Sequence, residues 1–402
     1  MNKNTNIAIL GAGASGLLSS ILLSQKGFHV TIFEKNNKVG KKLLATGNGR
    51  CNVTNYNISL KNFYSNSNIS LIEKNITNFS YEDCKTLFNK LGIEFKVVAS
   101  GRAYPLSLTS SSIVDILEYE ALKSGVKIEL NHEITDIKYQ NKKFTLNKNL
   151  HFDKLIIATG SIAMPKLGSS ESGYQFAKQF RHKLIKPVAS LVQLVSNNKH
   201  LEVVSGVKIE AMIDNQRGDF LFTKYGVSGS LILDLSRKIS KQLQTQKTVK
   251  MSVDTMPDFS FDTLVNMLTK RLEHLKDKEL NLWLDGIMNK KLAKYIMLNS
   301  NIPSHIKYAK FLSQKEIINI VKTIKNLQFT ITDTKGFETC EVCAGGVELT
   351  QINLETMESK NQKDLYFIGE VLDVDGDCGG YNLHWAWSSA HTLAMNMQSK
   401  TK

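Results

Sequence analysis

The sequence predicts an α/β protein in which a Rossmann-type domain is interrupted by an insert. Three observations support this fold class. The chain opens with a strand, a glycine-rich turn, a helix and a second strand. After residue 364 it repeats the order strand, glycine-rich loop and helix, which indicates a return to the first domain. Between these ends the apolar residues first alternate as in short strands and then recur at helical spacing.

These observations also give the expected domain boundaries. A chain of 402 residues is long for a single core, so more than one domain is expected. Ser313 and Glu316 are spaced as a capping box ahead of an amphipathic helix, which supports a helical part of the insert. We therefore expect a first domain at residues 1–188 and 328–402, a β-rich part of the insert at 189–257, and a helical part at 258–327.

The charge and composition narrow the choice of partners. The formal net charge is +14, but only six of the 51 basic residues are arginines, and the lysines are spread along the chain. Nucleic-acid-binding proteins usually concentrate basic residues and use arginine prominently, so this pattern argues against a nucleic-acid partner. The apolar run before Gly11 is too short for a secretory signal, and no stretch is long enough to cross a bilayer. We expect a cytoplasmic protein with a small-molecule substrate and no membrane partner.

The five cysteines do not have the pattern of a disulfide framework. Their number is odd and their spacing uneven, so we expect free thiols in a reducing compartment. Cys340 and Cys343 form a C-x-x-C pair, but no second pair of cysteines or histidines at zinc spacing accompanies it, so no metal site is expected. A redox role for this pair is the less favoured interpretation, because the segment around it resembles a partly buried strand.

The first glycine-rich turn has the pattern of a dinucleotide-binding fingerprint. Gly11, Gly13 and Gly16 stand in G-x-G-x-x-G register, where they permit a tight turn, close approach of a pyrophosphate and close helix packing. Glu34 ends the second strand, 23 residues after Gly11, where its carboxylate can accept hydrogen bonds from ribose hydroxyls. A later strand ends in small residues that let a cofactor lie close to the backbone. The candidate residues of these elements are Gly11, Ala12, Gly13, Ala14, Ser15, Gly16, Glu34, Lys35, Ala158, Thr159 and Gly160.

Longer segments resemble the BaiN-like family of bacterial flavoproteins. In chain order they are GAGASG, GKKLLATGNGRCNVTN, GRAYP, IIATG, FTKYGVSGS, GGVELTQINLETMESK and FIGEVLDVDGDCGGYNLHWAWSSA. The resemblance implies FAD bound in a glutathione-reductase-type Rossmann domain, interrupted by an insert with a β-barrel-like part and a helical part. It also implies an NAD(P)/FAD-dependent oxidoreductase, and some members of the family reduce conjugated double bonds in steroid-like acids. No histidine or cysteine lies in a known attachment motif, so the FAD is expected to be non-covalent.

The segment TGNGRCN, residues 46–52, matches a family segment that lies along the cofactor, and its residue types agree with that role. Glycines let backbone N–H groups point at phosphate or flavin oxygens, basic side chains supply positive charge, and asparagine amides suit the donors and acceptors of the flavin edge. Cys51 is expected near the flavin, but it has no nearby partner for a redox disulfide, which argues against a disulfide reductase. The candidate residues are Lys41, Lys42, Gly47, Asn48, Gly49, Arg50, Cys51 and Asn52.

The C-terminal loop and helix are expected to complete the cofactor site. By the resemblance, Glu370 is the acid that binds the ribityl chain, and Asp373 is a second candidate. A helix N-terminus carries roughly half a positive charge, so the last helix would stabilise the negative charge that reduction places on the flavin N1/O2 edge. The candidate residues are Gly369, Glu370, Asp373, Gly380, Tyr381, Asn382 and Leu383.

The expected function is hydride transfer between bound FAD and a small organic substrate, such as reduction of a conjugated C=C bond with NAD(P)H as the donor. A second G-x-G-x-x-G is absent, so NAD(P)H could only dock transiently in an open cleft, or the donor is another molecule. No catalytic residue is assigned, and Tyr381 and Tyr104 are weak nominations for a general acid. Two alternatives stay open: a flavin oxidase of small amines or ketones, and a flavin-dependent RNA-modifying protein.

Overall fold

The computed structural model describes residues 5–398. Its strands are β1 Asn6–Leu10, β2 His29–Phe33, β3 Thr54–Asn55, β4 Phe63–Tyr64, β5 Phe95–Val97, β6 Arg102–Pro105, β7 Lys127–Glu129, β8 Ile137–Gln140, β9 Lys143–Leu146, β10 Leu150–Phe152, β11 Lys154–Ile157, β12 Leu184–Ser190, β13 Leu194–Ser196, β14 Lys208–Ile213, β15 Gln216–Thr223, β16 Gly226–Ser228, β17 Val249–Val253, β18 Leu327–Thr334, β19 Val342–Val347, β20 Ile352–Asn353, β21 Glu358–Ser359, β22 Leu365–Phe367 and β23 Asp375–Gly376. Its α-helices are α1 Ala14–Gln25, α2 Lys41–Ala45, α3 Glu73–Thr77, α4 Tyr81–Lys90, α5 Ser110–Lys123, α6 Ser172–Gln179, α7 Leu201–Val204, α8 Ser230–Leu243, α9 Phe261–Leu275, α10 Leu280–Leu284, α11 Lys290–Asn299, α12 Gln314–Lys325 and α13 Tyr381–Asn396. Within residues 5–398, no helix combines the length and the apolar character needed to cross a membrane.

The first of two compact units contains the residues up to Ala189 and those from Cys340 onward. Its main sheet has the strand order β20-β21-β22-β11-β1-β2-β7. The run from β22 to β7 is parallel, and β20 and β21 add an antiparallel edge. Strands of a parallel sheet are usually buried on both faces, which explains why β11 is buried along its whole length.

The turns that carry the predicted site follow the carboxyl ends of neighbouring parallel strands. Gly11 follows β1, Glu34 follows β2 and Ala158 follows β11. Glu370 comes shortly after the end of β22. In open α/β sheets, ligands bind outside the carboxyl ends of the strands where the strand order reverses, and here this point lies between β1 and β11. The sheet order therefore places these four turns at one edge.

The second unit, Ser190–Thr339, contains a barrel and a set of helices with a core of their own. Its six-stranded sheet is antiparallel, in the order β14-β15-β16-β13-β18-β17. Met212 of β14 and Asp254, next to β17, exchange two backbone hydrogen bonds of 2.9 Å, so the two edge strands are joined. The predicted fold class is confirmed: a Rossmann-type domain is interrupted by an insert with a barrel part and a helical part.

Two features of the insert differ from the sequence expectation. The chain returns to the first unit at Cys340 and not at residue 328, because β18 pairs with β13 and β17 and buries Phe329 and Ile331 in the core of the second unit. The expected β-rich part also contains the helix α8. The glycines before α8 suggested a turn between strands, while its buried apolar residues recur at helical spacing and cover the barrel core.

One local prediction is confirmed, and two tryptophans of the last helix lie in the core. The capping box at the start of α12 is present, with the Ser313 N–H donating to the Glu316 carboxylate at 2.8 Å. Trp385 and Trp387 of α13 are fully buried packing residues. Their indole N–H groups donate to backbone carbonyl groups, which satisfies their polar atoms inside the core.

Candidate functional site

The first glycine-rich turn leaves open space at one glycine and none at the other two. A Cβ on Gly11 would lie 2.6 Å from the Ala158 carbonyl oxygen, and a Cβ on Gly16 would lie 2.0 Å from the Gly11 carbonyl oxygen. A Cβ on Gly13 would meet no atom within 4 Å. Gly11 and Gly16 are therefore required by packing, whereas Gly13 faces a space that a ligand can enter.

Gly13 also stands at the N-terminus of α1. No side chain caps this helix, so the N–H groups of its first turn are available to an anion such as a pyrophosphate. The turns around it are adjacent in space: a Cβ on Gly369 would lie 2.6 Å from the Ser15 Oγ. Ala14 is half-buried at the start of the same helix.

Glu34 lies beside this turn and lines a small open pocket. Its carboxylate accepts hydrogen bonds from the N–H groups of Ala12 at 2.9 Å and Asn36 at 2.8 Å. Lys35 and Thr159 line the same pocket. A carboxylate oxygen can accept more than one hydrogen bond, so Glu34 can order the turn and still bind a hydroxyl group in the pocket. Nearby, the Lys41 Nζ donates to the Asn36 Oδ1 at 3.2 Å.

Residues 46–50 form a partly exposed turn with a left-handed backbone. Gly47, Asn48 and Gly49 have φ values of 57°, 53° and 80°. The Arg50 guanidinium carbon lies 5.0 Å from the centre of the Tyr104 ring, a cation–π contact. Tyr104 therefore contacts this turn and stabilises it.

Cys51 and Asn52 end this segment and differ in what they offer a ligand. Cys51 is fully buried, and burial raises the pKa of its thiol to about 12, so it is a neutral thiol at physiological pH. The Oδ1 of Asn52 is buried and has no hydrogen-bond partner within residues 5–398, and the same is true of the Thr159 Oγ1. A buried polar atom left without a partner costs about 1–3 kcal/mol, so these two atoms mark positions where a bound group would be stabilised.

Glu370 connects three turns of the first unit. Its carboxylate accepts from the Lys42 Nζ at 2.6 Å and from the Ser161 Oγ at 2.7 Å. The backbone N–H of Cys343 donates to it at 3.2 Å, and a Cβ on Gly160 would lie 4.0 Å away. The fold thus brings together three predicted residues, Lys42, Gly160 and Glu370. Ser161 was not predicted, although its position directly after Gly160 was a usable signal.

Asp373 and Asn382, both predicted to contact the cofactor, have side chains that are hydrogen-bonded to loops of the protein itself. The fully buried Asp373 carboxylate accepts hydrogen bonds from side-chain and backbone groups of residues 65–67. The Asn382 side chain accepts from the Gly376 N–H at 2.9 Å and donates to the Gly376 carbonyl at 2.8 Å. Because these polar atoms already bind the protein's own loops, we interpret both side chains as positioning residues.

The second glycine-rich turn ends at the N-terminus of α13. Gly380 has φ 97°, and a Cβ there would lie 2.5 Å from the Thr54 carbonyl oxygen, so only glycine fits. No side chain caps this 16-residue helix, and its first N–H groups can stabilise negative charge. Tyr381 is buried, with its ring 6.0 Å from that of Phe63, and Leu383 packs against the core.

Two charged residues near these turns were missed by the sequence analysis. An Nη of Arg102 lies 3.5 Å from the carbonyl oxygen of Cys378, just before the glycines of α13. Glu341 lies between Cys340 and Cys343 and is exposed, although neighbouring protein atoms partly desolvate its carboxyl group. Burial raises the pKa of the Glu341 carboxyl, while Lys42 and Arg102 act in the opposite direction. Arg102 lies in the GRAYP segment and Glu341 lies between Cys340 and Cys343, so their positions next to these residues were usable signals.

The site therefore fits a dinucleotide. Two uncapped helix N-termini, an open space at Gly13 and two unpartnered buried oxygens meet the needs of a long ligand with phosphate and hydroxyl groups. The family described as HI0933-like protein Rossmann domain matches residues 5–396.

The chain belongs to this HI0933-like family. It is 32% identical over 399 residues to the 3-dehydro-bile acid delta(4,6)-reductase of Clostridium scindens, covering 96% of this chain and 97% of that protein. It is also 32% identical over 422 residues to the ribosomal RNA dihydrouridine synthase of Haemophilus influenzae, covering 99% of each chain. The expected membership of the BaiN-like flavoproteins is confirmed.

A solved structure supports the fold of this HI0933-like protein. The 3-ketosteroid-delta4-(5alpha)-dehydrogenase from Rhodococcus jostii RHA1 aligns with a TM-score of 0.51 over 98% of each chain. The sequence identity is 13%, so this likeness concerns the fold alone.

Proposed function

We propose that this HI0933-like protein is an FAD-dependent oxidoreductase that reduces a carbon–carbon double bond conjugated to a carbonyl group. The supporting observation is that two full-length relatives at 32% identity have names that imply this same reaction. A delta(4,6)-reductase of a 3-dehydro bile acid reduces double bonds conjugated to a ketone. A dihydrouridine synthase reduces the ring double bond of uracil, which is conjugated to a carbonyl.

The residues described above would hold FAD along the edge of the parallel sheet. The pyrophosphate would lie at Gly13 and the first turn of α1, where a Cβ is absent and N–H groups are available. Glu34 would bind the adenosine ribose. Glu370 follows β22, which lies on the opposite side of β1 from the strand that precedes Glu34. Its ion pair with Lys42 is near Gly160, and the ribityl chain would pass there.

The reaction needs a hydride for one carbon and a proton for the other. When bound, the flavin would supply the hydride to the carbon β to the carbonyl. Glu341 is the candidate proton donor for the neighbouring carbon, because it is an exposed acid whose carboxyl group interacts electrostatically with Lys42, the partner of Glu370, and with Arg102, which reaches the turn before α13. A raised carboxyl pKa keeps the acid protonated closer to neutral pH, as proton donation requires.

The electron donor in this proposal is NADH or NADPH, which docks transiently. The test is anaerobic stopped-flow reduction of the bound FAD by each nucleotide, followed by mixing with a 3-keto-4-ene steroid or with a uridine-containing RNA transcript. For one of the two substrates, the steroid or the RNA, we expect loss of the double bond together with reoxidation of the flavin. Reoxidation by oxygen alone, with no reduced organic product, would favour a flavin oxidase.

The second candidate function is the reduction of uracil in RNA, at the double bond of the uracil ring. The dihydrouridine synthase relative covers 99% of this chain, and the net charge of +14 suits a polyanionic substrate. Mass analysis of nucleosides from a transcript incubated with the reduced protein tests this candidate. A gain of two hydrogens on uridine is expected, and unchanged uridine beside a reduced steroid would exclude it.

A further inference from the structure

Half of the formal net charge is concentrated in one segment of the second unit. Residues 286–327 contain eight lysines and a single acidic residue, Glu316, so they carry +7 of the total of +14. The Glu316 carboxylate accepts from the Ser313 N–H at 2.8 Å, at the N-terminus of its own helix. Lysines also occur along the rest of the chain, so the local excess of positive charge reflects the scarcity of acidic residues as well as the number of lysines.

Two loops of the second unit bring lysines and aromatic rings together. Residues 276–280 and 307–310 run side by side, with the Lys310 N–H donating to the Lys276 carbonyl at 2.7 Å and the Ala309 N–H donating to the Lys278 carbonyl at 3.0 Å. We call the exposed side chains of these loops the lysine–aromatic patch. It consists of Lys276, Lys278, Lys307, Tyr308, Lys310 and Phe311.

The two rings of the patch are partly exposed to solvent, and both lie near the same cation. Tyr308 is 40% exposed and Phe311 is 60% exposed. The Lys310 Nζ lies 5.7 Å from the centre of the first ring and 5.6 Å from the centre of the second. Because these faces are open to solvent, they contribute little to the core and remain available for stacking.

Most lysines of the patch are not neutralised by the protein. Lys310 pairs with Asp277 at 3.5 Å, and Glu279 is the other acid of the two loops. Lys276, Lys278 and Lys307 form no ion pair with any residue in the part of the chain that the structure describes. The patch therefore presents free positive charge beside two flat apolar faces.

We propose that the lysine–aromatic patch binds single-stranded RNA, an inference that rests on the second candidate function above. Unpaired bases have apolar faces that stack on exposed aromatic rings, and the phosphates between them are neutralised by lysines. A duplex keeps its base faces within its own stack, so the patch favours single strands. The patch has no arginine for bidentate contacts to base edges, so it holds RNA without selecting a sequence.

The test measures binding of a fluorescein-labelled oligouridine of about 12 nucleotides to the full-length flavoprotein by anisotropy, at several salt concentrations. A stacking variant carries Tyr308→Ala and Phe311→Ala, and we expect its affinity to fall by about tenfold or more. A charge variant carries Lys307→Gln and Lys310→Gln. Its plot of log K against log salt is expected to become shallower by about 0.7 for each lysine removed.

A matched control is available in the first unit. Tyr119 is 62% exposed, and the Lys123 Nζ lies 5.6 Å from its ring centre, as in the patch. Lys123 is paired with Glu120 at 3.1 Å, as Lys310 is with Asp277, but its helix carries Asp115 and Glu118 and no further lysine, so the unpaired lysines of the patch have no counterpart there. The double variant Tyr119→Ala with Lys123→Gln is expected to bind the oligouridine like the wild type.

Three results would overturn the proposal: no salt-sensitive RNA binding by the wild type, equal losses in the patch and control variants, or tighter binding of duplex RNA or anionic lipid vesicles than of oligouridine. Circular dichroism and flavin content establish that each variant is folded. The binding assay does not depend on turnover, so failure of the RNA-binding proposal can be distinguished from failure of the reductase proposal. If the patch is required for binding but no uridine is reduced, the patch remains an RNA-binding surface and only the reaction is excluded.

Discussion

Replacement of Gly13 by alanine should remove FAD without unfolding the protein. The backbone at Gly13 is extended, with φ −84° and ψ −165°, a conformation that alanine adopts without strain. The added Cβ would meet no protein atom within 4 Å. At a compatible position, a glycine-to-alanine change stabilises a protein by about 0.4–1 kcal/mol because it restricts the unfolded chain. Gly13 is the N-cap of α1, where alanine is less favourable than glycine, and this loss offsets the gain, so the free energy of unfolding of the apoprotein should stay within about 1 kcal/mol of the wild type.

The loss of affinity follows from the contacts that a pyrophosphate makes with the first turn of α1. A methyl group at Gly13 occupies the space through which the phosphate approaches, so these hydrogen bonds are lost. A hydrogen bond to a charged group contributes about 1.5–3 kcal/mol, and two of them contribute roughly 3–6 kcal/mol. Since about 1.4 kcal/mol corresponds to a factor of ten, the Kd for FAD should rise by about 100-fold to 10,000-fold.

The matched variant is Gly16→Ala, which makes the same chemical change at a packed position. Its Cβ would lie 2.0 Å from the Gly11 carbonyl oxygen, so it should lower the free energy of unfolding by about 1–3 kcal/mol or more. FAD content after desalting, Kd from flavin fluorescence titration and urea unfolding by circular dichroism separate the two effects. A Gly13→Ala protein that binds FAD with the wild-type Kd, or one that fails to fold, would refute the reasoning.

Three further outcomes are expected. Acid precipitation should release the yellow colour into the supernatant as FAD, because no attachment motif is present, and colour in the pellet would contradict this. Anaerobic dithionite titration should consume two electrons per flavin in the wild type and in the Cys340→Ser/Cys343→Ser variant. The hydrogen bond with Cys343 and, second to it, burial raise the pKa of the Cys340 thiol, which disfavours the reactive thiolate; four electrons in the wild type would show that the pair is redox-active. Glu341→Gln should keep FAD but slow C=C reduction by about 100-fold to 10,000-fold. Only the protonated carboxyl donates, so the wild-type rate should fall as the pH rises through the raised pKa of Glu341, and single-turnover rates of the variant should lack this fall; an unchanged pH profile would remove Glu341 from the reaction.

The sequence was most informative where the signal is local. The G-x-G-x-x-G spacing located the turn between β1 and α1, and the Ser313–Glu316 spacing located the start of α12. It was least informative in the insert. There, β18 was assigned to the wrong unit, because its strand partners lie far away in the sequence.

At the candidate site as well, the sequence indicated which residues are involved, but it did not indicate which residues they contact. The sequence indicated Glu370 as a binding residue, but the fold decided that it contacts Lys42, which lies 328 positions away, and Ser161. The sequence offered Asp373 as a second cofactor contact, whereas the folded chain uses its carboxylate to hold residues 65–67. A carboxylate can bind a cofactor or hold a loop of the protein, and its neighbours in the folded chain decide which of the two it does.

What the sequence by itself determined is the presence of a dinucleotide-binding turn, the interrupted order of elements and the flavoprotein family. These depend on backbone preferences and on apolar periodicity, which act over a few residues. Tertiary structure alone decided that Gly13 faces open space while Gly11 and Gly16 are packed, and that the Glu341 carboxyl is partly desolvated and within the electrostatic influence of Lys42. It also aligned two loops to form the lysine–aromatic patch. The reason is that burial and charge environment depend on chain segments far apart in sequence, whose arrangement is set by the order of strands in each sheet and by the packing of helices.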